Sequence, residues 1–233
     1  MAAQVDQGAR PRVPLTRERV LAAALALADR AGIESLTMRR LGQALGVEAM
    51  SLYNHVANKD DVLQGIVDQV MSEIDLSALD GSWKPAMRVR AISARDTFAR
   101  HPWASSLVAS RITPGPATLR HHDAIIGCLR RGGFPIARAA HAFSLLDSYV
   151  YGFAIQEANL PLRSTDEVAE VAGDILGQLP AGEYPYFIEM IVEHALKPGY
   201  DYRDEFEIGL DLILDGLERL RSEPEPRVGP GAV

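Results

Sequence analysis

The chain has 233 residues, of which 47% are hydrophobic and 24% are charged, with 24 Lys and Arg against 31 Asp and Glu. This composition is typical of a soluble globular protein and excludes a chain that is disordered along its whole length. A single cysteine, Cys128, excludes a disulfide framework and a cysteine-based zinc cluster, and it favours a reducing compartment. No segment reaches the 18 or so apolar residues of a membrane span. We therefore expect a soluble cytoplasmic protein without membrane partners.

The net charge of -7 conceals an asymmetry along the chain. Residues 1–60 hold eight basic and six acidic residues, a net of +2, so the remainder, with 16 basic and 25 acidic residues, has a net of -9. Because nucleic acid attracts positive charge, any surface that binds it should lie near the N-terminus.

Hydrophobic periodicity, capping residues and glycine or proline breaks predict about ten helices and no strands. The predicted helices cover residues 17–31, 38–45, 49–56, 59–74, 85–100, 117–131, 135–159, 164–179, 185–195 and 204–220. Residues 1–14 lack hydrophobic periodicity and should form a flexible arm, and residues 222–233 should form a disordered tail. The predicted fold is all-α.

Two short helices on either side of Gly46 form a helix-turn-helix pattern, whose second helix enters the major groove of DNA. From spacing alone the two helices could equally belong to a helical bundle, but their position near the basic end of the chain favours DNA. Tyr53 and Lys59 suit phosphate contacts, as does Thr37 at a helix N-terminus. Arg39 and Arg40 also belong to this candidate surface, and of these two we expect Arg39 to face the groove because neighbours on a helix diverge by about 100°. The residues that could read base edges are Ala49, Met50, Ser51, Tyr53, Asn54 and His55.

The segment from Thr37 to Lys59 resembles the DNA-binding domain of the TetR family of transcriptional regulators. The family pattern Leu-Tyr-x-His/Tyr-Val/Phe, followed by x-Asn/Ser-Lys, appears as Leu-Tyr-Asn-His-Val-Ala-Asn-Lys at residues 52–59. The resemblance covers about residues 15–62 and implies a DNA-binding domain there, with a connecting helix that continues to about residue 75. It further implies that Thr37 and Lys59 touch phosphates, that residues 51–55 lie in the groove and that the arm approaches the minor groove.

The rest of the chain, residues 76–221, resembles the ligand-binding and dimerisation domain of the tetracycline repressor subgroup. Three segments carry this resemblance: Gly-Ser-Trp at 81–83, Arg-Gly-Gly-Phe at 131–134, and residues 206–218. The magnesium-binding histidine of that subgroup is replaced here by Leu107 or a neighbour, so the expected ligand is not magnesium-tetracycline. We expect no cofactor and no metal, since His121 and His122 are adjacent and lack the i, i+4 spacing of metal-binding helices.

The resemblance implies a homodimer that binds a palindromic operator and is released by a small-molecule inducer. The helices from Pro135 and Asp204 are the expected dimer elements. Five small residues on them would permit close helix contact, although such residues mark packing within one chain as often: Ala139, Ala140, Gly152, Gly209 and Gly216. The ligand pocket should combine aromatic and apolar walls with a few polar anchors. The candidate lining residues are Trp103, Leu107, Arg111, His121, His122, His141, Leu145, Asp147, Tyr151 and Gln156.

The helix of residues 59–74 joins the expected pocket to the DNA-binding domain. We therefore expect the inducer to move this helix and to change the separation of the two recognition helices of the dimer. An enzyme is disfavoured, because the sequence has no Gly-rich phosphate loop, no His-Glu-x-x-His and no Gly-x-Ser-x-Gly motif. A broad multidrug-sensing or protein-interaction role for the C-terminal half remains the alternative.

Overall fold

The computed structural model describes residues 14–110, 113–160, 165–180 and 182–222. Within these ranges all regular secondary structure is helical, with no strand, as predicted. It divides into two compact units whose boundary lies inside α4, between Ile66 and Val67. The helices are α1 (Arg17–Ala31), α2 (Met38–Leu45), α3 (Ala49–Leu52), α4 (Lys59–Ser72), α5 (Trp83–Arg100), α6 (Ala104–Ser110), α7 (Pro116–Arg131), α8 (Ile136–Asn159), α9 (Thr165–Gln178), α10 (Pro185–Met190) and α11 (Tyr202–Ser222).

Helix α1 begins and ends at the predicted capping residues. The Thr16 side chain accepts the backbone N–H of Arg19, and Gly32 ends the helix at a φ of 76°. This positive φ favours glycine, which has no Cβ to clash. The apolar side of α1, including Val20 and Ala24, is fully buried in the core of the first unit.

The predicted third helix is shorter than its apolar pattern indicates. The sequence predicts a helix over 49–56, but α3 ends at Leu52. The backbone N–H groups of Tyr53 and Asn54 bond to carbonyls three residues back, at 3.3 and 3.4 Å, so the chain turns more tightly there than an α-helix. Leu52 and Val56 are nevertheless both buried, because the tight turn keeps them on the inner side.

The second unit is built around α8, which packs against α5, α6, α7 and α11. Its buried side chains, such as Leu146 and Val150, meet apolar side chains of these neighbours. At one end of the unit, the rings of Trp83 and Phe134 pack edge to face with centroids 4.8 Å apart. On the surface, Arg88 of α5 bonds to carboxylates of α11 at 2.5 and 2.8 Å.

Several other boundaries also differ from the prediction. Helix α5 begins at Trp83 rather than Pro85, because proline is tolerated anywhere in the first turn and does not fix the start. Helix α4 ends at Ser72 rather than Ile74 and α11 extends to Ser222, while residues 191–195 continue α10 as a π-helical turn. The seven-residue α6 was not predicted, since about two turns carry too little periodicity to detect.

Several expectations concern residues outside the described ranges. These are the arm, apart from Pro14, the capping residue Ser164, the ligand candidate Arg111 and the tail beyond Ser222. Among the helices that the structure does describe, none is long and apolar enough to cross a bilayer.

Candidate nucleic-acid interface and ligand site

The turn between α2 and α3 depends on two glycines. Gly46 adopts the left-handed conformation, with φ 67° and ψ 33°. At Gly42, a Cβ would lie 2.9 Å from the carbonyl oxygen of Val47 and 3.2 Å from the backbone nitrogen of Ala49. A side chain at residue 42 would therefore push the two helices apart, and this requirement was not foreseen from the sequence.

The candidate base-reading residues divide between exposed and half-buried positions. Met50 is 75% exposed and Tyr53 is 44% exposed, and Asn54 is also exposed. The half-buried residues of the group are Ala49, Ser51 and His55. Leu52, by contrast, is fully buried, so α3 has one side fixed in the core and the other open to solvent.

The candidate phosphate-binding residues are all exposed: Thr37, Arg39, Arg40, Tyr53 and Lys59. The Thr37 hydroxyl oxygen accepts the backbone N–H of Arg40 at 3.2 Å and so caps α2. Its own O–H remains able to donate to a phosphate oxygen. Arg39 and Arg40 are both exposed, so this classification does not separate them.

An ion pair that the sequence did not reveal holds the end of the candidate base-reading segment, residues 49–55. Arg17 of α1 donates to both carboxylate oxygens of Asp61, at 2.8 and 2.6 Å, and to the carbonyl of His55 at 3.4 Å. Asp61 also accepts the N–H of Ala57 at 2.8 Å. The hydrogen bond from Arg17 lowers the pKa of Asp61 to about 2. These contacts tie the start of α1 to the turn between α3 and α4.

The second unit contains a buried polar cluster formed by α5, α7 and α8. Arg90, 1% exposed, donates from Nε to Nε2 of His121 at 2.8 Å and from Nη2 to Oδ1 of Asp147 at 2.6 Å. Tyr151 donates its hydroxyl to the other oxygen of Asp147 at 3.1 Å. Three predicted ligand residues are thus brought together around Arg90, a residue that sequence reasoning missed.

Two nitrogens of this cluster have no hydrogen-bond partner within the described residues: Nη1 of Arg90 and Nδ1 of His121. Burial, reinforced by the charge of Arg90, lowers the pKa of His121 to about 2, so the imidazole is neutral. Burial and the neighbouring Asp147 raise the pKa of Tyr151, which therefore keeps its proton. The cluster accordingly carries one positive and one negative charge.

The other predicted ligand residues are more dispersed. Trp103 and Leu107 are half-buried, and the half-buried His122 packs edge-on against Phe143 at 5.0 Å between ring centroids. The remaining three described candidates are exposed on α8: His141, Leu145 and Gln156. Within the described ranges, no three His, Cys, Asp or Glu side chains are grouped as a metal site.

An aspartate of α4 caps the beginning of α7. Asp68 accepts the backbone N–H groups of Ala117 and Thr118 at 3.0 and 2.9 Å, and the Thr118 hydroxyl at 3.1 Å. A Cβ on Gly115 would lie 2.4 Å from the Asp68 carboxylate, so the approach requires glycine there. Since α7 also carries His121, one helix touches both α4 and the buried cluster.

Helices α8 and α11 each expose large apolar side chains. Ile136 and Leu145 of α8 are 63% and 47% exposed, and Ile208 and Leu212 of α11 are 56% and 68% exposed. Of the small residues on these helices, Gly209 lies against Tyr149 of its own chain, where a Cβ would meet the hydroxyl at 2.2 Å. Gly209 therefore serves packing within the chain.

Comparison with known proteins gives a match to both units. A model of "Bacterial regulatory proteins, tetR family" matches residues 20–66, and a model of "Tetracyclin repressor-like, C-terminal domain" matches residues 78–221. The HTH-type transcriptional repressor DrrR1 of Streptomyces coeruleorubidus is 32% identical over 229 residues, covering 94% of this chain and 83% of DrrR1.

A solved structure with the same fold is apo ActR of Streptomyces coelicolor, with 28% identity and a TM-score of 0.74. The match covers 90% of this chain and 97% of ActR. A second structure shows ActR in complex with actinorhodin, also with 28% identity and a TM-score of 0.74, covering 91% of this chain and all of ActR.

Proposed function

The chain belongs to the TetR family of bacterial regulatory proteins and is a DNA-binding transcriptional regulator rather than an enzyme, and on this premise we propose that it is a cytoplasmic repressor. It binds a palindromic operator as a homodimer and leaves the operator when a small molecule binds. The related ActR has been solved with actinorhodin bound, which supports a small-molecule signal here too.

The DNA-binding proposal rests on one observation: one side of α3 is buried and the other is exposed to solvent. Leu52 is fully buried while Met50, two residues earlier, is 75% exposed. An exposed helix face of this kind fits the major groove, where methyl, hydroxyl and amide groups distinguish bases. We assign base reading to residues 49–51, 54 and 55, and phosphate contacts to Thr37, Arg39, Arg40, Tyr53 and Lys59.

The exposed apolar side chains of α8 and α11 support a homodimer. Ile208 and Leu212, one turn apart on α11, are each more than half exposed, and contiguous exposed apolar groups mark interaction surfaces. A dimer is also what operator recognition needs, because one recognition helix contacts too few base pairs to select a unique site.

For the signal we propose that ligand binds beside the cluster of Arg90, His121 and Asp147 and acts on α4 through α7. Asp68 provides the contact, since it caps the first turn of the helix that carries His121. The ligand works only if it binds the two conformations with unequal affinity, so operator DNA must weaken ligand binding by the same factor as ligand weakens DNA binding.

The test of DNA binding is a gel shift with DNA from upstream of the protein's own gene. We expect a sequence-specific complex that weakens steeply with salt. Equal binding to a scrambled duplex of the same length would refute the assignment. Substituting Asn54 or Ser51 should change base preference, whereas Tyr53→Ala should weaken binding to all sequences.

The test of coupling is Asp68→Ala, compared with Asp123→Ala on the exposed surface of α7. We expect Asp68→Ala to bind operator normally but to be released less completely by small molecules found in a release screen, because the cap that links α4 to α7 is lost. Full release of the variant would show that the signal takes another route.

A further inference from the structure

The buried cluster has an unequal supply of hydrogen-bond donors and acceptors. Both carboxylate oxygens of Asp147 already accept hydrogen bonds, one from Arg90 and one from Tyr151. Two N–H donors, on Nη1 of Arg90 and Nδ1 of His121, have no acceptor among the described residues. A ligand that binds here would therefore find hydrogen-bond donors. The negative charge of Asp147 is already neutralised by Arg90.

The hydrogen on Nδ1 of His121 follows from its contact with Arg90. A guanidinium nitrogen can only donate, so Nε2 of His121 must be the acceptor in the 2.8 Å hydrogen bond. A neutral imidazole that accepts at Nε2 carries its proton on Nδ1. Because His121 is fully buried, with 0% of its surface exposed, this N–H is costly to leave without a partner.

Aromatic side chains lie beside the cluster. Tyr151 packs edge to face with Phe98, with centroids 5.6 Å apart, and His122 does the same with Phe143 at 5.0 Å. Aromatic rings pack well against a flat apolar ligand body, and polar groups then fix its orientation.

We propose that the ligand of this site is an aromatic compound whose carbonyl, phenolate or carboxylate oxygens accept hydrogen bonds from Nη1 of Arg90 and Nδ1 of His121. The inference rests on the proposed ligand-responsive function and narrows its ligand class. Cationic aromatic amines are disfavoured, because they would place a positive charge beside Arg90 without a free carboxylate to compensate.

The experiment compares two probes that share a ring system and differ in charge: 1-naphthoate and 1-naphthylmethylammonium. Binding of each to the full-length protein is measured by isothermal titration calorimetry without DNA. We expect the carboxylate to bind at least about tenfold more tightly, which corresponds to one charge-assisted hydrogen bond. The ring ¹⁵N signal of His121 Nδ1 should shift with the carboxylate and stay unchanged with the ammonium.

Variants of His121 test the site itself. His121→Leu removes the donor and should reduce the affinity for 1-naphthoate about tenfold. His121→Gln should retain most of the affinity, since its amide can accept from Arg90 and still donate. His194→Leu, at an exposed position outside the candidate ligand residues, is the matched control and should bind like the wild type.

Three results would overturn the proposal: tighter or equal binding of the ammonium, no binding of the carboxylate in the millimolar range, or an unchanged carboxylate preference in folded His121→Leu. If that variant does not fold, the probe preference and the ¹⁵N shift of the wild-type protein decide. Because these measurements contain no DNA, they can fail while operator binding and release succeed, and the reverse also holds.

Discussion

Replacing Arg90 with methionine should destabilise the second unit strongly. Arg90 is 1% exposed and Asp147 is 7% exposed, and the variant leaves that carboxylate with only the Tyr151 hydroxyl as partner. Removing one member of a buried ion pair typically costs about 3–5 kcal/mol. At about 2–4 °C per kcal/mol for a chain of this size, the melting temperature should fall by about 10 °C.

The assay is differential scanning calorimetry at a fixed protein concentration, because dimerisation makes the melting temperature depend on concentration. Arg88→Met is the matched control: it removes an arginine from the same helix, but its two carboxylate partners on α11 are exposed, so the cost should stay below about 1 kcal/mol. The double variant Arg90→Met/Asp147→Leu removes both charges and should recover at least half of the loss.

Two results would refute the reasoning. If Arg90→Met melts within 2 or 3 °C of the wild type, which is about 1 kcal/mol, water reaches the carboxylate and the pair is not buried in solution. If the double variant is no more stable than the single one, the loss comes from packing of the arginine side chain and not from an unpaired charge.

Three further predictions concern the DNA-binding unit. Lys59→Ala should lower the slope of log operator affinity against log salt by about one unit per protomer, or about two for the dimer, since one phosphate contact is lost in each copy. Arg30→Ala should leave the slope unchanged, and equal slopes for all three proteins would remove Lys59 from the interface. Gly42→Ala should cost about 1–3 kcal/mol in thermal melts and weaken operator binding, because its Cβ would lie 2.9 Å from a backbone oxygen. Gly173→Ala, with no atom within 4 Å of the added Cβ, should not destabilise, and similar melts for these two variants would contradict the close contact. Asp61 stabilises the folded state above its ordinary pKa of 3.8, and this contribution should disappear as the pH falls toward about 2. Circular dichroism melts across this range should show a smaller acid loss for Asp61→Asn, and an identical loss would exclude this carboxylate as the cause.

Local signals made the helices predictable wherever the capping residue lies next to the helix it caps. Thr16, Thr37 and Gly46 cap the predicted helix ends because each contact involves residues three or four positions apart. The TetR-type motif likewise predicted the candidate base-reading segment, since its residues are consecutive.

Contacts between residues far apart in the chain could not be predicted from the sequence. Arg17 and Asp61 are 44 positions apart, and nothing in either local pattern marks them as partners. Arg90 was not predicted as a cluster residue for a different reason. A charged residue on a helix with several arginines usually lies in solvent, and only the three-dimensional structure shows that Arg90 is buried against Asp147.

Because Asp68 caps α7, the first turn of this helix depends on a residue of α4. Most helices hold their first amides through a residue of their own chain segment, but α7 owes two of them to a carboxylate nearly 50 positions upstream. The rate of hydrogen exchange at the amides of Ala117 and Thr118 should therefore rise when α4 moves away from α7. These two amides can thus report a ligand-induced movement of α4 without an attached label.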